Sequence, residues 1–339
     1  MKSLWKKGLF FLSLAGCCLA CDRSPRYVST KIEGFAQGGD YRVVIRDTVP
    51  RDLSGPIDSL FREIEASLSL YDPDSRISRI NRNETDTVDR YLADCIRRAQ
   101  AVSRETEGVY DITVKPLIAA YGFAEKEAQR RPNVDSLLQF VGYEKIRLEG
   151  NRIIKEHPGV QLDLNSIAQG YSADVVARYL DSLGLKNYLV VLGGGEIFAR
   201  GANASGEKWV IGIDRPVEGN VLGGVDLQER VGLSERGLAT SGNYRKYYTD
   251  ESGRKIVHTV DPRTGQPVVS NLLSATVIAP NAATADAYGT YFMVAGLEGS
   301  KAFLERHPEL DAYLVWTDEK GDYRVFATPG IEIKKQGKP

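Results

Sequence analysis

His258, Asp261 and Arg263 fall together in the segment Val257-His258-Thr259-Val260-Asp261-Pro262-Arg263-Thr264-Gly265-Gln266-Pro267. Imidazole is the side chain that titrates nearest neutral pH, so one presented at a strand end can accept a proton. Val257 and Val260 favour a strand, and Asp261-Pro262 with Thr264-Gly265 is turn chemistry. The same residues also make an ordinary charged hairpin, and the segment alone does not choose between the two readings.

A second group is Thr284-Ala285-Asp286-Ala287-Tyr288-Gly289-Thr290. On a helix, Asp286 and Thr290 lie one turn apart on one face. A carboxylate and a hydroxyl so placed suit a hard, oxygen-seeking cation such as magnesium. The plainer alternative is a helix capped by Thr284, with Asp286 favourable at its positive end. A third group is Asp163-Leu164-Asn165-Ser166, where a strand gives way to a helix. Such a junction points free N–H groups at a phosphate, and Asp163 can accept hydrogen bonds from a nucleobase or flavin edge. Asn165 or Ser166 as a simple N-cap is the alternative.

Leu192-Gly193-Gly194-Gly195-Glu196-Ile197 has neither the Lys-Ser/Thr of a P-loop nor dinucleotide-fingerprint spacing, and reads as a tight strand connection. Thr240-Ser241-Gly242-Asn243-Tyr244-Arg245 is small and polar and could line a ligand or simply turn the chain. Tyr71, Tyr110, Tyr121 and Phe123 fall in or beside loops, where flat rings can stack on a ligand or pack against the core. His157, His258 and His307 are scattered with no cysteine beside them, which speaks against zinc.

The elements that must hold these groups follow from periodicity. Apolar residues in helical phase predict helices over Pro56 to Ser69, Asp89 to Thr106 and 166 to 183, one beginning near Thr284 and one over 299 to 306. Strands are expected at 41–45, 152–155, 161–164, 187–192, 208–214, 255–260, 272–279, 312–317 and 323–327. Val109 to Val114 reads as strand-like or extended. Long helices early and strands later give an α+β fold.

A chain of 339 residues, 42% hydrophobic, can bury a large core in one large domain or two closely packed ones. Its formal net charge of -1 leaves no basic surplus of the kind a nucleic-acid partner requires. Lys2, Lys6 and Lys7 precede a short apolar run and Leu14-Ala15-Gly16-Cys17, the pattern of a bacterial lipoprotein signal. The expected organisation is a signal over 1–16, lipidation at Cys17, a tether over 17–34, one folded domain over 35–330 and a tail over 331–339. Without the signal the formal charge is about -4. An ordinary secretory peptide cut near Ala20 is the alternative. Cys95 is the only cysteine outside the signal region, so the folded part has no internal disulfide, and Cys95 is expected in the core.

Taken in order, these segments resemble the ApbE family of FAD:protein FMN transferases over about residues 32 to 330. The resemblance is carried by Gly34-Phe35-Ala36-Gln37-Gly38, Ser69-Leu70-Tyr71-Asp72-Pro73, Tyr110 to Leu117 with Tyr121-Gly122-Phe123, and Asp163 to Gly170. It continues through the glycine run, Ala239 to Arg245, His258 to Pro267 and Ala285 to Thr290.

The resemblance implies an ApbE-like, T-fold-related arrangement of mixed sheets and packed helices in two intimately joined lobes. It implies transfer of FMN from FAD to a Thr or Ser hydroxyl, with release of AMP. The expected acceptors are flavin-carrying subunits of Nqr- and Rnf-type redox pumps and other exported flavoproteins, with the enzyme lipid-anchored on the extracytoplasmic side of a bacterial envelope. It places Gln37, Tyr71, Val109, Tyr110, Asp111, Asp163, Gln169 and Val260 at FAD, the last through its backbone. Magnesium is assigned to the Ser166 backbone oxygen, Asp286 and Thr290. His258 is the candidate proton acceptor, with Asp261 either orienting it or shaping the turn. Gln37 stands where many relatives have Met, Gln169 where Lys or Glu is frequent, Gly289 where some have a carboxylate, and Tyr121 where Trp is usual. Two other classes remain open: an FAD pyrophosphatase of the same fold and a non-catalytic flavin-binding lipoprotein.

Overall fold

Alternation of inward apolar and outward polar side chains builds the first hairpin, β1 (Val28–Ala36) with β2 (Gly39–Asp47). Ile32, Val43 and Ile45 are buried while Lys31, Glu33 and Arg42 are not. Gln37 and Gly38 close it with φ of 52° and 77°, the paired positive φ of a two-residue turn that matches strand twist. The structure, a computed structural model, describes residues 27–123, 133–217, 220, 224–244, 247–250, 253 and 255–334.

The chain continues through α1 (Ser54–Leu68), α2 (Arg76–Asn81), α3 (Arg90–Glu105), α4 (Lys115–Ala120) and α5 (Val134–Leu138). The hairpin β3 (Ile146–Glu149) and β4 (Arg152–Lys155) leads to α6 (Ala168–Ser182). Then come β5 (Tyr188–Leu192), β6 (Glu196–Arg200), β7 (Trp209–Asp214), β8 (Leu227–Leu233), β9 (Arg236–Gly242), β10 (Tyr247–Thr249), β11 (Lys255–Val257) and β12 (Leu272–Ala279). Last are α7 (Ala282–Leu304), β13 (Asp311–Thr317) and β14 (Tyr323–Ala327).

Eight strands form one antiparallel sheet in the order β1-β2-β5-β6-β9-β12-β13-β14. Its two faces bury different partners because neighbouring residues on a strand point oppositely. Val277 joins Ile64, Leu92, Ile96 and Phe292 of α1, α3 and α7. Ile278, one residue on, joins Trp209, Ile211 and Val231 of the β7–β8 hairpin. The result is a helix layer, a sheet and a covering ribbon, the expected α+β fold. The two lobes anticipated from sequence share this unbroken sheet.

Several boundaries differ from the sequence reading. The tether expected to residue 34 ends before Val28, because Val28 to Gly34 already pair with β2. The domain also runs past residue 330: Ile333 bridges Val231, and the Lys334 N–H donates to the Arg230 carbonyl. Val109 to Val114 is a turn rather than a strand, and 161–164 contributes a single parallel bridge, Val114 with Gln161. The strand expected over 255–260 stops at Val257. The last long helix is one run broken at Gly296, whose φ of 72° separates the two helices expected there. Cys95 is buried in the core. No helix among the described residues is long and apolar enough to cross a membrane. The signal, Cys17 and residues 335–339 lie outside the described residues.

Candidate active site

The floor of the site is the contact between α6 and α7. Gly170 permits it: a Cβ there would sit 2.4 Å from the Ala282 carbonyl oxygen and 2.9 Å from Asp286 Cβ. At this contact Asp286 Oδ2 accepts a 3.1 Å hydrogen bond from the Gly170 N–H. Burial pushes the Asp286 carboxyl up to about 7, with nearby Asp174 adding to the rise and the Gly170 N–H opposing it. Thr290 follows one turn later. The N-cap of α7 is Asn281, not Thr284: Asn281 Oδ1 accepts from the Thr284 N–H at 2.9 Å. Gly289 makes room for Ser241, whose Oγ would lie 2.7 Å from an added Cβ.

One side wall is the Asp163-to-Ser166 junction with the turn at 109–114. Asp163 is buried and accepts the Asn165 N–H at 2.8 Å, the geometry of an Asx turn. The helix starts later than expected, with Ile167 rather than Asn165 or Ser166 at its N-cap. Ser166 Oγ instead donates to the Tyr110 hydroxyl at 3.1 Å. Asp111 accepts both the N–H and the hydroxyl of Thr113 at 2.7 Å, and burial raises its carboxyl to about 6. Tyr71 stands at the mouth, 74% exposed.

The roof is the His258 segment. Val260 bridges Pro267, the Asp261 N–H donates to the Gln266 carbonyl at 2.9 Å, and the Gly265 N–H donates to the Asp261 carbonyl at 2.8 Å. Gly265 has φ 67°, and a Cβ there would meet Val134 Cγ1 at 2.4 Å. Asp261 pairs with Arg263, accepting its N–H at 2.9 Å and its guanidinium at 2.9 Å, so it shapes the turn. Tyr121 is buried and its hydroxyl donates to the Gly265 carbonyl at 3.1 Å; it braces this turn from behind rather than forming an aromatic wall. Phe123 takes the wall position, with the half-buried His258 ring edge-on at 6.2 Å.

These parts enclose a cleft of about 320 Å³, within the range of small-molecule sites. Its wall brings together Tyr71, Val109, Tyr110, Asp111, Asp163, Ser166, His258, Val260, Asp286 and Thr290. Gln37 and Gln169 are not in it. Gln169 Nε2 donates to the Gln37 carbonyl at 3.2 Å, and the Gln37 amide donates to Ser172 Oγ at 2.5 Å, so both tie the β1–β2 turn to α6. Thr240, Ser241, Gly242 and Tyr244 of the small polar segment do line the cleft, and so do Lys115 and Glu196, to which the sequence reading assigned no role. Both Lys115 and Glu196 carried a signal: a cation just before the Pro of a helix start, and a carboxylate directly after a glycine run. Asp174 was missed altogether; an acid inside the apolar stripe Ala173-Asp174-Val175-Val176 was its mark.

The oxygens of Asp286, Thr290 and Ser166 fit a hard cation. Among the described residues, Oδ2 alone of the Asp286 oxygens is taken by a protein donor, and the Thr290 hydroxyl has no hydrogen-bond partner. No cluster of three or more His, Cys, Asp or Glu suited to a metal occurs among the described residues. A single carboxylate with neutral oxygens matches magnesium, which takes few protein ligands and completes its shell with water and phosphate.

The ApbE family profile matches residues 37–314. An FAD:protein FMN transferase of Haemophilus influenzae is 32% identical over 331 residues, covering 93% of this chain and 93% of its own. One from Vibrio cholerae is 34% identical over 282 residues, covering 79% and 81%. Among solved structures, the flavin transferase ApbE from Vibrio cholerae superimposes with a TM-score of 0.77 at 31% identity, over 90% of this chain and 98% of that one. The apo flavinyl transferase ApbE of Pseudomonas stutzeri gives 0.78 at 28% identity, over 89% and 95%. With the profile spanning most of its length and relatives above 30% identity at near-complete coverage, the chain belongs to the ApbE family.

Proposed function

We propose that this enzyme moves the FMN half of FAD onto a Thr or Ser hydroxyl of an acceptor protein and releases AMP. One observation carries the reading. In a chain whose relatives are FAD:protein FMN transferases, a single cleft gathers a buried carboxylate with a neighbouring hydroxyl, an imidazole, and carboxylates beside aromatic rings. Asp163 and Asp111 offer acceptors to the donor edges of FAD, and Tyr71 and Phe123 offer ring faces.

In the reaction the acceptor oxygen bonds to the phosphorus of the FMN phosphate. The bond from that phosphorus to the bridging oxygen breaks, and AMP departs with that oxygen. His258 receives the hydroxyl proton, directly or through one water. Magnesium held by Asp286, Thr290 and the Ser166 main-chain oxygen would neutralise charge on the pyrophosphate and the departing AMP. The acceptors we assign are flavin-carrying subunits of Nqr- and Rnf-type redox pumps or similar exported proteins. The lysine-rich start followed by Leu14-Ala15-Gly16-Cys17 supports a lipid anchor at Cys17, on the extracytoplasmic face of a bacterial membrane.

Incubation with FAD, magnesium and an acceptor peptide tests this. The expected product is a mass increase equal to FMN on a threonine of the peptide, with AMP in equal amount. Free FMN with unmodified peptide would identify a pyrophosphatase instead. No AMP with any acceptor would leave only flavin binding.

A further inference from the structure

The helices α6 and α7 cap each other. The first turn of any helix has N–H groups with no partner inside the helix. In α7, Asp174 of α6 takes two of them: Oδ1 accepts from the Ala282 N–H at 2.8 Å and Oδ2 from the Ala283 N–H at 3.0 Å. Asn281 takes the next, that of Thr284. In α6 the N-cap is Ile167, whose hydrocarbon side chain cannot accept a hydrogen bond, and the Gly170 N–H is taken by Asp286 of α7. Each helix therefore supplies the carboxylate that the other lacks. Gly170 and Asp174 are one turn apart on α6, and the absent Cβ of Gly170 lets both exchanges happen at one contact.

We infer that Asp174 is a positioning residue for the metal-binding face of α7: by holding the first turn of that helix against α6, it fixes Asp286 with one carboxylate oxygen on Gly170 and the other available to a cation. Asp174 touches neither FAD nor metal in this scheme; it is absent from the wall of the cleft. Supporting groups of this kind set the orientation and basicity of a ligand, and their loss costs about 10- to 100-fold in metal affinity. Asparagine at position 174 keeps the shape but replaces one of the two accepting oxygens with a donor, so one α7 N–H loses its partner.

The inference rests on the assignment of magnesium to Asp286, and the test separates the two. FAD affinity is read from flavin fluorescence first in EDTA and then across a Mg²⁺ titration, with Tm measured in parallel. Asp174→Asn should leave affinity in EDTA within about twofold and raise the Mg²⁺ midpoint about tenfold or more. Saturating Mg²⁺ should restore transfer. Gly170→Ala, which wedges the same contact while keeping both acids, should shift the midpoint in the same direction. It serves as the second measurement if Asp174→Asn does not fold. Asn281→Ala removes the cap that α7 supplies to itself; it should lower Tm with little change in midpoint. A folded Asp174→Asn or Gly170→Ala protein with lowered Tm and an unchanged midpoint would overturn the positioning role, as would an equal shift in Asn281→Ala. If Asp286→Ala itself keeps the Mg²⁺ response, the metal assignment fails. If Asp286→Ala loses it and Asp174→Asn keeps it, only the crossed cap fails.

Discussion

The floor and roof of the cleft are built on opposite plans. The floor is two long helices in close contact, with Asp174 and Asp286 each at most 6% exposed and bonded across the contact. The roof is a pair of three-residue strands and a turn, held by main-chain bonds and by Tyr121 from behind. His258 there is half-buried and the Arg263 side chain, on the same turn, is 55% exposed. Fixed charge must be pre-organised, because a carboxylate that can relax loses its advantage over water. A group that exchanges protons with an incoming hydroxyl must be reachable by a second protein, which a surface turn allows. The division teaches that the two tasks of the proposed transfer reside in elements that differ in burial and in how they are bonded, and substitutions should report that division.

The largest effect is expected on the floor. Asp286→Ala removes the only carboxylate among the three proposed metal oxygens, and transfer should fall by at least about 10³-fold. The Mg²⁺ dependence of FAD binding should vanish with it. Normal flavinylation of an acceptor at limiting magnesium would end the metal assignment.

On the roof, His258→Gln keeps a polar side chain of similar reach but removes the proton acceptor. Transfer should fall by about 10²- to 10³-fold, within the range of general-base losses, while FAD affinity changes by less than about threefold. Equal losses in binding and transfer would make His258 a binding residue. An unchanged rate would remove it from proton transfer.

The buried acids of the floor and side wall also predict how stability responds to pH. Burial raises Asp286 to about 7 and both Asp174 and Asp111 to about 6, against an ordinary value of 3.8. Between these values the folded chain holds protons that the unfolded chain has released. The contribution of these three acids to stability therefore falls as pH rises from about 4 to about 7 and stays low above that. Exposed acids with lowered values, such as Glu332 at about 2 between Lys208 and Lys334, act in the opposite sense but do most of their titrating below about pH 5, so the fall is read above it. Metal-free protein should lose on the order of 5 °C in Tm between pH 5 and pH 8, and Asp286→Asn should flatten that slope. A slope identical in the two proteins would mean that the charge of Asp286 costs the fold nothing.

The same two regions differ in how much of them could be read in advance. The floor was largely legible, since Asp286 and Thr290 are one turn apart in sequence as in space. In the side wall Ser166 was placed at the cleft although the strand and helix start expected around it are a single bridge and a later N-cap. What escaped was Asp174, since reciprocal capping joins residues 108 apart and leaves no local spacing. The roof gave its composition but not its wiring. Asp261 pairs with Arg263 two residues away, and Tyr121 reaches Gly265 across 144 residues. The strands at 187–192 and 272–279 were plain because both faces of the sheet are covered there, which leaves apolar runs. β1 was obscured because alternate residues are polar and Pro25 precedes it, so an edge strand looked like a tether. Gln37 and Gln169 were placed at FAD by resemblance alone, and their amides are engaged with the β1–β2 turn and α6.

The smallest predicted effect decides the remaining question about the roof. If Asp261 held the His258 ring in place, removing its charge would cost nearly as much as removing the imidazole, as in an acid–base pair that acts as a unit. In the structure its carboxylate is occupied by Arg263, whose guanidinium and N–H outweigh the effect of burial and hold the acid below its usual range. The pair is partly exposed, where such contacts contribute about 0–1 kcal/mol. Asp261→Asn keeps an oxygen for the Arg263 N–H, so transfer should change by less than about threefold and Tm by about a degree or two. A loss approaching that of His258→Gln, with Tm unchanged, would move Asp261 from the turn into the proton-transfer machinery. The roof would then be as tightly pre-organised as the floor.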